Sequence, residues 1–272
     1  MASEVLYERD GVRLAGIDFG GGGPPVLLLH GLAGYAGEWA QTAGWLTERA
    51  RVVALDARGH GNSEPLPADV SRSAHVADAA FAVESLGLAP VVVVGQSLGG
   101  LTALLLAAER PDLVRGLVMV EAGAGGGGDA SSHAANVAEL GNSLRRWPVP
   151  FASRQAAVEF FGGPSLNAEA WAGGLARRDG GWWPRFDVDV MMRTLQEADS
   201  RSSWEQWERI GCPALVVRGG DGSLPLADAE AMVARARDAK LVEIADAQHD
   251  LHLDRPGEWR EALSEFLDAL DP

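Results

Sequence analysis

Four consecutive valines, Val91 to Val94, lead into Gly95-Gln96-Ser97-Leu98-Gly99-Gly100 and on into an apolar stretch that reads as a helix from Leu98 to Glu109. A valine run with no polar alternation is a strand buried on both faces, which means a parallel sheet covered by helices. The chain must then turn from strand to helix within a residue or two. Only residues as small as Gly95 and Gly99 let backbone and helix approach that closely. Ser97 is thereby expected on a strained turn, its hydroxyl above the sheet and its neighbouring amides at a helix N-terminus, where the dipole is positive.

The rest of the chain repeats the same alternation. Strand-like runs occur at Val26 to Leu29, Val52 to Leu55, Leu117 to Val120, Leu215 to Val217 and Leu241 to Ile244, with helical patterns at Glu38 to Glu48, Ala74 to Leu86, Ala227 to Arg237 and Glu258 to Leu270. This order predicts an α/β chain with a mostly parallel, doubly wound sheet. Val5 to Arg9 and Val12 to Ile17 flank Asp10-Gly11, a hairpin turn signal, so the sheet is expected to open with an antiparallel pair.

One interval breaks the rhythm. Roughly 85 residues separate the strand ending near Val120 from the one near Pro213, whereas a crossover needs about a dozen. The division expected is a core of residues 1–124 and 209–272 with a helical cap, 125–208, inserted between them. Within the cap, Ser153, Asn167 and Asp187 are placed to start three helices, and no strand is expected. Aromatic residues concentrate there. Most should pack the cap onto itself, but Trp147, Phe151, Phe161, Trp171, Trp182 and Trp183 are candidates for an apolar roof over a pocket at the carboxyl edge of the sheet.

Composition narrows the partners. A net charge of −15 leaves no basic stripe for phosphates and argues against nucleic acid. A single cysteine, Cys212, rules out an internal disulfide and favours a reducing compartment. No apolar run approaches the ~18 residues of a membrane span, and Met1 to Asp18 lacks the apolar core of a secretory signal, so a cytoplasmic location is expected. Gly123 to Gly128 matches Gly-x-Gly-x-x-Gly formally, but any glycine run does, and the first strand lacks the pattern, so no dinucleotide site is expected. His249-x-x-His252 without a third ligand is too thin for a metal.

Taken with the strand–Gly-x-Ser-x-Gly–helix context, four further motifs make the chain resemble the α/β-hydrolase fold superfamily along nearly its whole length. They are His30-Gly31-Leu32, Asp56-Ala-Arg58-Gly59-His60-Gly61-Asn62-Ser63, Gly219-Gly220-Asp221-Gly222-Ser223-Leu224-Pro225 and His249-Asp-Leu-His252-Leu-Asp-Arg-Pro256, each following a strand in the superfamily's order. The resemblance implies an eight-stranded sheet and a serine nucleophile, Ser97. It implies a base at His249, which alone among the histidines follows the last strand and precedes the C-terminal helix. It assigns the carboxylate to Asp221, with Glu121 as the rival, since some relatives carry the acid at the end of the sixth strand. Backbone N–H groups of Leu32 and Leu98 are the expected oxyanion donors, His30 a tether for the oxyanion loop, and Asp56 and Arg58 architectural.

The activity expected is hydrolysis of a small to medium, largely apolar ester or lactone through an acyl-enzyme, with no cofactor, no metal, a small-molecule substrate and neither nucleic acid nor membrane as partner; the sequence does not give the oligomeric state. Carbon–carbon bond hydrolysis, thioester hydrolysis and cofactor-free haloperoxidase chemistry use the same three residues and stay open as alternatives, as does a small-molecule receptor that retains them. Epoxide hydrolase and dehalogenase chemistry are disfavoured, because relatives with those activities have a carboxylate where this chain has Ser97.

Overall fold

The computed structural model describes residues 2–126 and 130–270. β1 (Ser3–Arg9) and β2 (Val12–Gly20) form the expected antiparallel hairpin, and Asp10 and Gly11 both take positive φ, 53° and 78°, as a tight two-residue hairpin turn requires. β3 (Pro25–Leu29), β4 (Arg51–Asp56), β5 (Val91–Gln96), β6 (Val114–Val120), β9 (Ala214–Gly219) and β10 (Ala239–Ile244) complete a sheet of order β1-β2-β4-β3-β5-β6-β9-β10, parallel from β4 to β10.

Alternate residues of the central strands feed two apolar layers. Leu27, Leu29, Val53, Val91, Val93, Leu117 and Val216 face α2 (Arg72–Ser85), α3 (Leu98–Glu109), α8 (Trp204–Glu208) and α9 (Leu226–Arg235). Val26, Leu28, Val52, Val92, Val94, Val118 and Val217 face α1 (Ala40–Leu46) and α11 (Pro256–Leu270). All six residues of β5 are buried, which is why that strand reads as uninterrupted valine. Each such side chain contributes roughly 1.5–3 kcal/mol through burial, so the strand that carries Ser97 is rigidly held.

Between β6 and β9 lie α4 (Ala130–Arg145), α5 (Arg154–Phe160), α6 (Leu166–Gly173), β7 (Leu175–Arg178), β8 (Gly181–Pro184), α7 (Val188–Ala198) and α8. Ser153 caps α5 through its side chain and Asp187 caps α7, as expected. α6 is capped by Ser165, not Asn167, whose side chain instead donates to Asp254. The β7–β8 hairpin was not anticipated: its strands are four residues each and pair around Asp179-Gly180, too short for a periodic signal. Trp207 of α8 lies in the core layer against α3. Gly127 and Gly128 of the glycine run lie outside the described residues. Among the described residues no helix is long and apolar enough to cross a membrane.

Candidate active site

Ser97 occupies the turn between β5 and α3 with φ 50° and ψ −114°, a conformation an ordinary residue adopts only at a cost of about 1–3 kcal/mol. The glycines on either side explain how the turn closes: a Cβ on Gly95 would stand 2.1 Å from the Gly99 carbonyl oxygen, and one on Gly99 would stand 2.2 Å from that of Leu29. Leu98 is the first residue of α3, so its N–H has no partner within the helix and is free to meet a ligand beside Ser97.

The second expected donor, the Leu32 N–H, belongs to the same peptide unit as the Gly31 carbonyl. That carbonyl accepts from the Gly34 N–H (3.1 Å) and lies 2.7 Å from His30 Nδ1. His30 Nε2 accepts from the Ala57 N–H at 3.0 Å, which leaves Nδ1 as the protonated nitrogen and the donor to Gly31. Burial holds the His30 imidazole down to about 4, so it stays neutral and the tautomer does not change. His30 thus clamps the peptide plane from which the Leu32 N–H projects. Asp56 ties the same loop to β4, accepting from the Ala36 and Asn62 N–H groups at 2.6 and 2.8 Å. Arg58, buried and paired through two nitrogens with Asp78, holds the following segment, in keeping with an architectural role.

The expected carboxylate is where sequence and structure part. Asp221 is exposed, and among the described residues its side chain makes no hydrogen bond; its backbone N–H is bonded to the Ala247 carbonyl. The carboxylate beside His249 is Glu121, at the end of β6, with Oε2 3.3 Å from His249 Nδ1. Glu121 is fully buried and takes a φ of 50°. The loop that contains Asp221 serves as a cup for it: the Gly219 N–H donates to Oε1 at 2.7 Å, and the N–H groups of Ser223 and Leu224 donate to Oε2 at 2.6 and 3.1 Å. A Cβ on Gly222 would stand 2.2 Å from Oε1, so this glycine makes room for a carboxylate arriving from another strand. Burial pushes the Glu121 carboxyl up, but the hydrogen bonds from His249 and the loop amides outweigh it and hold the group below its ordinary value, hence ionised. The signal for Glu121 in the sequence is a lone acid closing the apolar run Leu117 to Val120, with Gly222 as its counterpart a hundred residues on.

Ser97, His249, Glu121, Leu32 and Leu98 all open onto one cleft of about 360 Å³. Its other described walls include Leu101, Ala122, Leu224 and, from the cap, Asn136 of α4, Leu195 of α7 and Asp199 just after it. None of Trp147, Phe151, Phe161, Trp171, Trp182 and Trp183 lines it. The expected aromatic roof is corrected accordingly: Trp147 packs edge-on to Phe161, Trp171 and Phe186 at 4.8–5.9 Å, and Phe151 and Trp182 join the same cluster around α5 and α6. The reason is volume. α5 and α6 bury Ala157, Val158, Ala168 and Ala172, side chains too small to fill a core, and the rings fill it. Trp183 instead donates from Nε1 to the Asp179 carbonyl across its own hairpin.

Trp171 does reach the core, donating from Nε1 to Asp250 Oδ2 at 3.0 Å, so Asp250 faces the cap and not solvent. His252 is buried and stacked on Trp39 at 4.3 Å.

A model of the alpha/beta hydrolase fold family matches residues 24–256. The chain is 28% identical over 255 residues to the sn-1-specific diacylglycerol lipase of Mus musculus, covering 90% of this chain and 81% of that one. It is 31% identical over 262 residues to the pimeloyl-(acyl-carrier protein) methyl ester esterase of Chromobacterium violaceum, with 92% and 96% covered. Among solved structures, E-2-(acetamidomethylene)succinate hydrolase superposes with a TM-score of 0.87 at 22% identity, covering 98% of this chain and all of that one.

Proposed function

The chain belongs to the alpha/beta-hydrolase fold family and is a hydrolase, and on that premise we propose that it cleaves a small to medium, uncharged carboxylic ester or lactone through an acyl-enzyme on Ser97. The observation that carries this reading is the convergence on one cleft of a serine on a strained strand-to-helix turn and a histidine backed by a buried, ionised carboxylate.

In the proposed cycle the Ser97 hydroxyl oxygen attacks the substrate carbonyl carbon while His249 Nε2 takes its proton. The carbonyl electron pair moves onto oxygen and is met by the Leu32 and Leu98 N–H groups, each contributing about 3 kcal/mol to the transition state. Collapse breaks the bond to the alkoxide, which leaves with the proton from His249. Water then attacks the acyl-enzyme, gives a proton to His249, and the acid departs as Ser97 regains its hydrogen. Glu121 keeps the imidazole in place and offsets its positive charge without itself taking the proton.

Two observations support the substrate class. The cleft's lining includes Leu32, Leu98, Leu101, Ala122, Leu195 and Leu224 together with the acids Asp199 and Asp228, and none of its described lining residues is an arginine or lysine that could pair with an anionic substrate. The lipase and the methyl ester esterase to which the chain is similar are both named for ester substrates.

S97A is expected to lower turnover of a p-nitrophenyl ester by several orders of magnitude and to abolish fluorophosphonate labelling of the peptide that carries residue 97. Retained turnover in S97A would remove Ser97 from the mechanism. Short neutral esters and lactones should outperform succinate half-esters of the same length; the reverse order would overturn the substrate class.

A further inference from the structure

We propose that Ser223 is a positioning residue of this site, its hydroxyl touching both Glu121 and His249 and adding a second hold on the imidazole beside that of the carboxylate. The proposal rests on the reading of Ser97 as nucleophile and His249 as its base. Ser223 Oγ is 2.7 Å from His249 Nδ1 and 3.1 Å from Glu121 Oε2, while Nδ1 and Oε2 are 3.3 Å apart. The hydroxyl is therefore the nearer partner of the ring, and the three atoms close a triangle.

Glu121 dictates which way these bonds run. An ionised carboxylate only accepts, so the Ser223 O–H donates to Oε2. With that proton committed, Oγ meets Nδ1 only as an acceptor, and Nδ1 must carry its hydrogen. Nε2 is left with its lone pair, the form a base for Ser97 needs. The backbone that cups Glu121 also aims the hydroxyl, because the N–H groups of Ser223 and Leu224 both donate to the same Oε2. When the Ser97 proton arrives at Nε2 nothing else transfers: the Nδ1 hydrogen stays on the ring, the hydroxyl hydrogen stays on Ser223, and the positive charge is met by a polarised hydroxyl with the carboxylate behind it.

Removing the hydroxyl leaves Glu121, 3.3 Å away, as the remaining acceptor for Nδ1, so the ring should lose alignment toward Ser97.

The test is the rate of fluorophosphonate labelling at Ser97, which needs no known substrate, together with KM and kcat on a p-nitrophenyl ester. S223A is expected to label about tenfold more slowly, with kcat lowered in step and KM within about twofold of wild type. S223T, which keeps the hydroxyl, should restore the rate. Should S223A fail to fold, S223G removes the same hydroxyl and takes its place. An S223A variant unchanged in rate overturns the proposal, and so does an S223T variant as impaired as S223A, since the hydroxyl would then not be the working group. Failure of the nucleophile reading looks different: wild type would not label at Ser97. In that event nitrogen-15 NMR of the ring, assigned with H249N, decides. A proton on Nδ1 whose resonance S223A shifts sustains the bridge, and a wild-type ring protonated on Nε2 alone, or a resonance S223A leaves in place, overturns it.

Discussion

Glu121 and Glu38 are both enclosed carboxyl groups, and each faces a histidine of the same short segment, His249 in one case and His252 in the other. Their environments push ionisation in opposite directions. Glu121 Oε2 is 3.3 Å from His249 and the group collects three backbone N–H bonds, so it sits below its ordinary pKa and is ionised. Glu38 Oε1 lies 3.7 Å from His252 Nε2, but its one amide donor is Tyr35, and burial together with the neighbouring Asp250 pushes it well above the usual carboxyl range. His252, buried against Trp39, is correspondingly held down to about 3. Burial alone therefore does not decide ionisation; the count of donors aimed at the oxygens does. The same loop has an ionised carboxylate beside its histidine on the cleft side and a carboxyl held toward its neutral form on the core side, and in the proposed cycle only the ionised one can answer to a proton moving at Ser97.

The sharpest way to break this contrast is E121Q. It removes the charge and turns a –NH₂ toward the loop amides, and turnover of an ester is expected to fall by about a thousandfold. D221N, in the position that the family pattern favours, should leave turnover within about twofold. Equal losses in the two variants would return the role to Asp221.

The next effect is on stability. His30, His60, His75 and His252 are all buried and held down to about 3 or 4 from 6.5, chiefly by burial. Below about pH 6.5 the unfolded chain protonates these rings and the folded chain does not, so stability present at neutral pH is lost as pH falls from about 6.5 toward 4. At pH 5 the loss is roughly 2 kcal/mol for each ring. Glu38 and Asp250, raised by burial, take up protons more readily in the folded state than in the unfolded one and offset part of it. Differential scanning calorimetry should therefore give a clearly lower Tm at pH 5 than at pH 7; a higher one would mean that the buried rings are charged. E38Q is the mildest change: a glutamine carbonyl can still accept from Tyr35, no charge is lost, and both Tm at pH 7 and turnover should stay close to wild type. A tenfold loss of turnover in E38Q would erase the distinction between the two carboxyls.

Much of the site was legible because it depends on adjacent residues. Gly95, Ser97 and Gly99 must be neighbours for the turn to close, and His30-Gly31-Leu32 must be neighbours for the imidazole to reach the Gly31 carbonyl. The acid was not legible in the same way. Asp221 and Glu121 each follow a strand of the same sheet at its carboxyl end, and a sequence does not say which of two adjacent loops sends a carboxylate and which supplies the amides to bind it. The six aromatic residues proposed as a roof failed for a related reason. A ring in a helical segment can face a cleft or fill a small core, and α5 and α6, lined with alanines, needed filling.

By itself, the order of residues determined the layered sheet, the strained turn at Ser97 and the loop that holds His249, since apolar period and glycine spacing act along the chain. Folding in three dimensions alone decided that Glu121 stands behind His249, that the Ser223 hydroxyl meets both, and that leucines and not tryptophans are among the walls of the cleft. Those outcomes depend on contacts between strands and loops distant in sequence, where a few tenths of an ångström and the number of hydrogen-bond donors select among residues that look alike on paper.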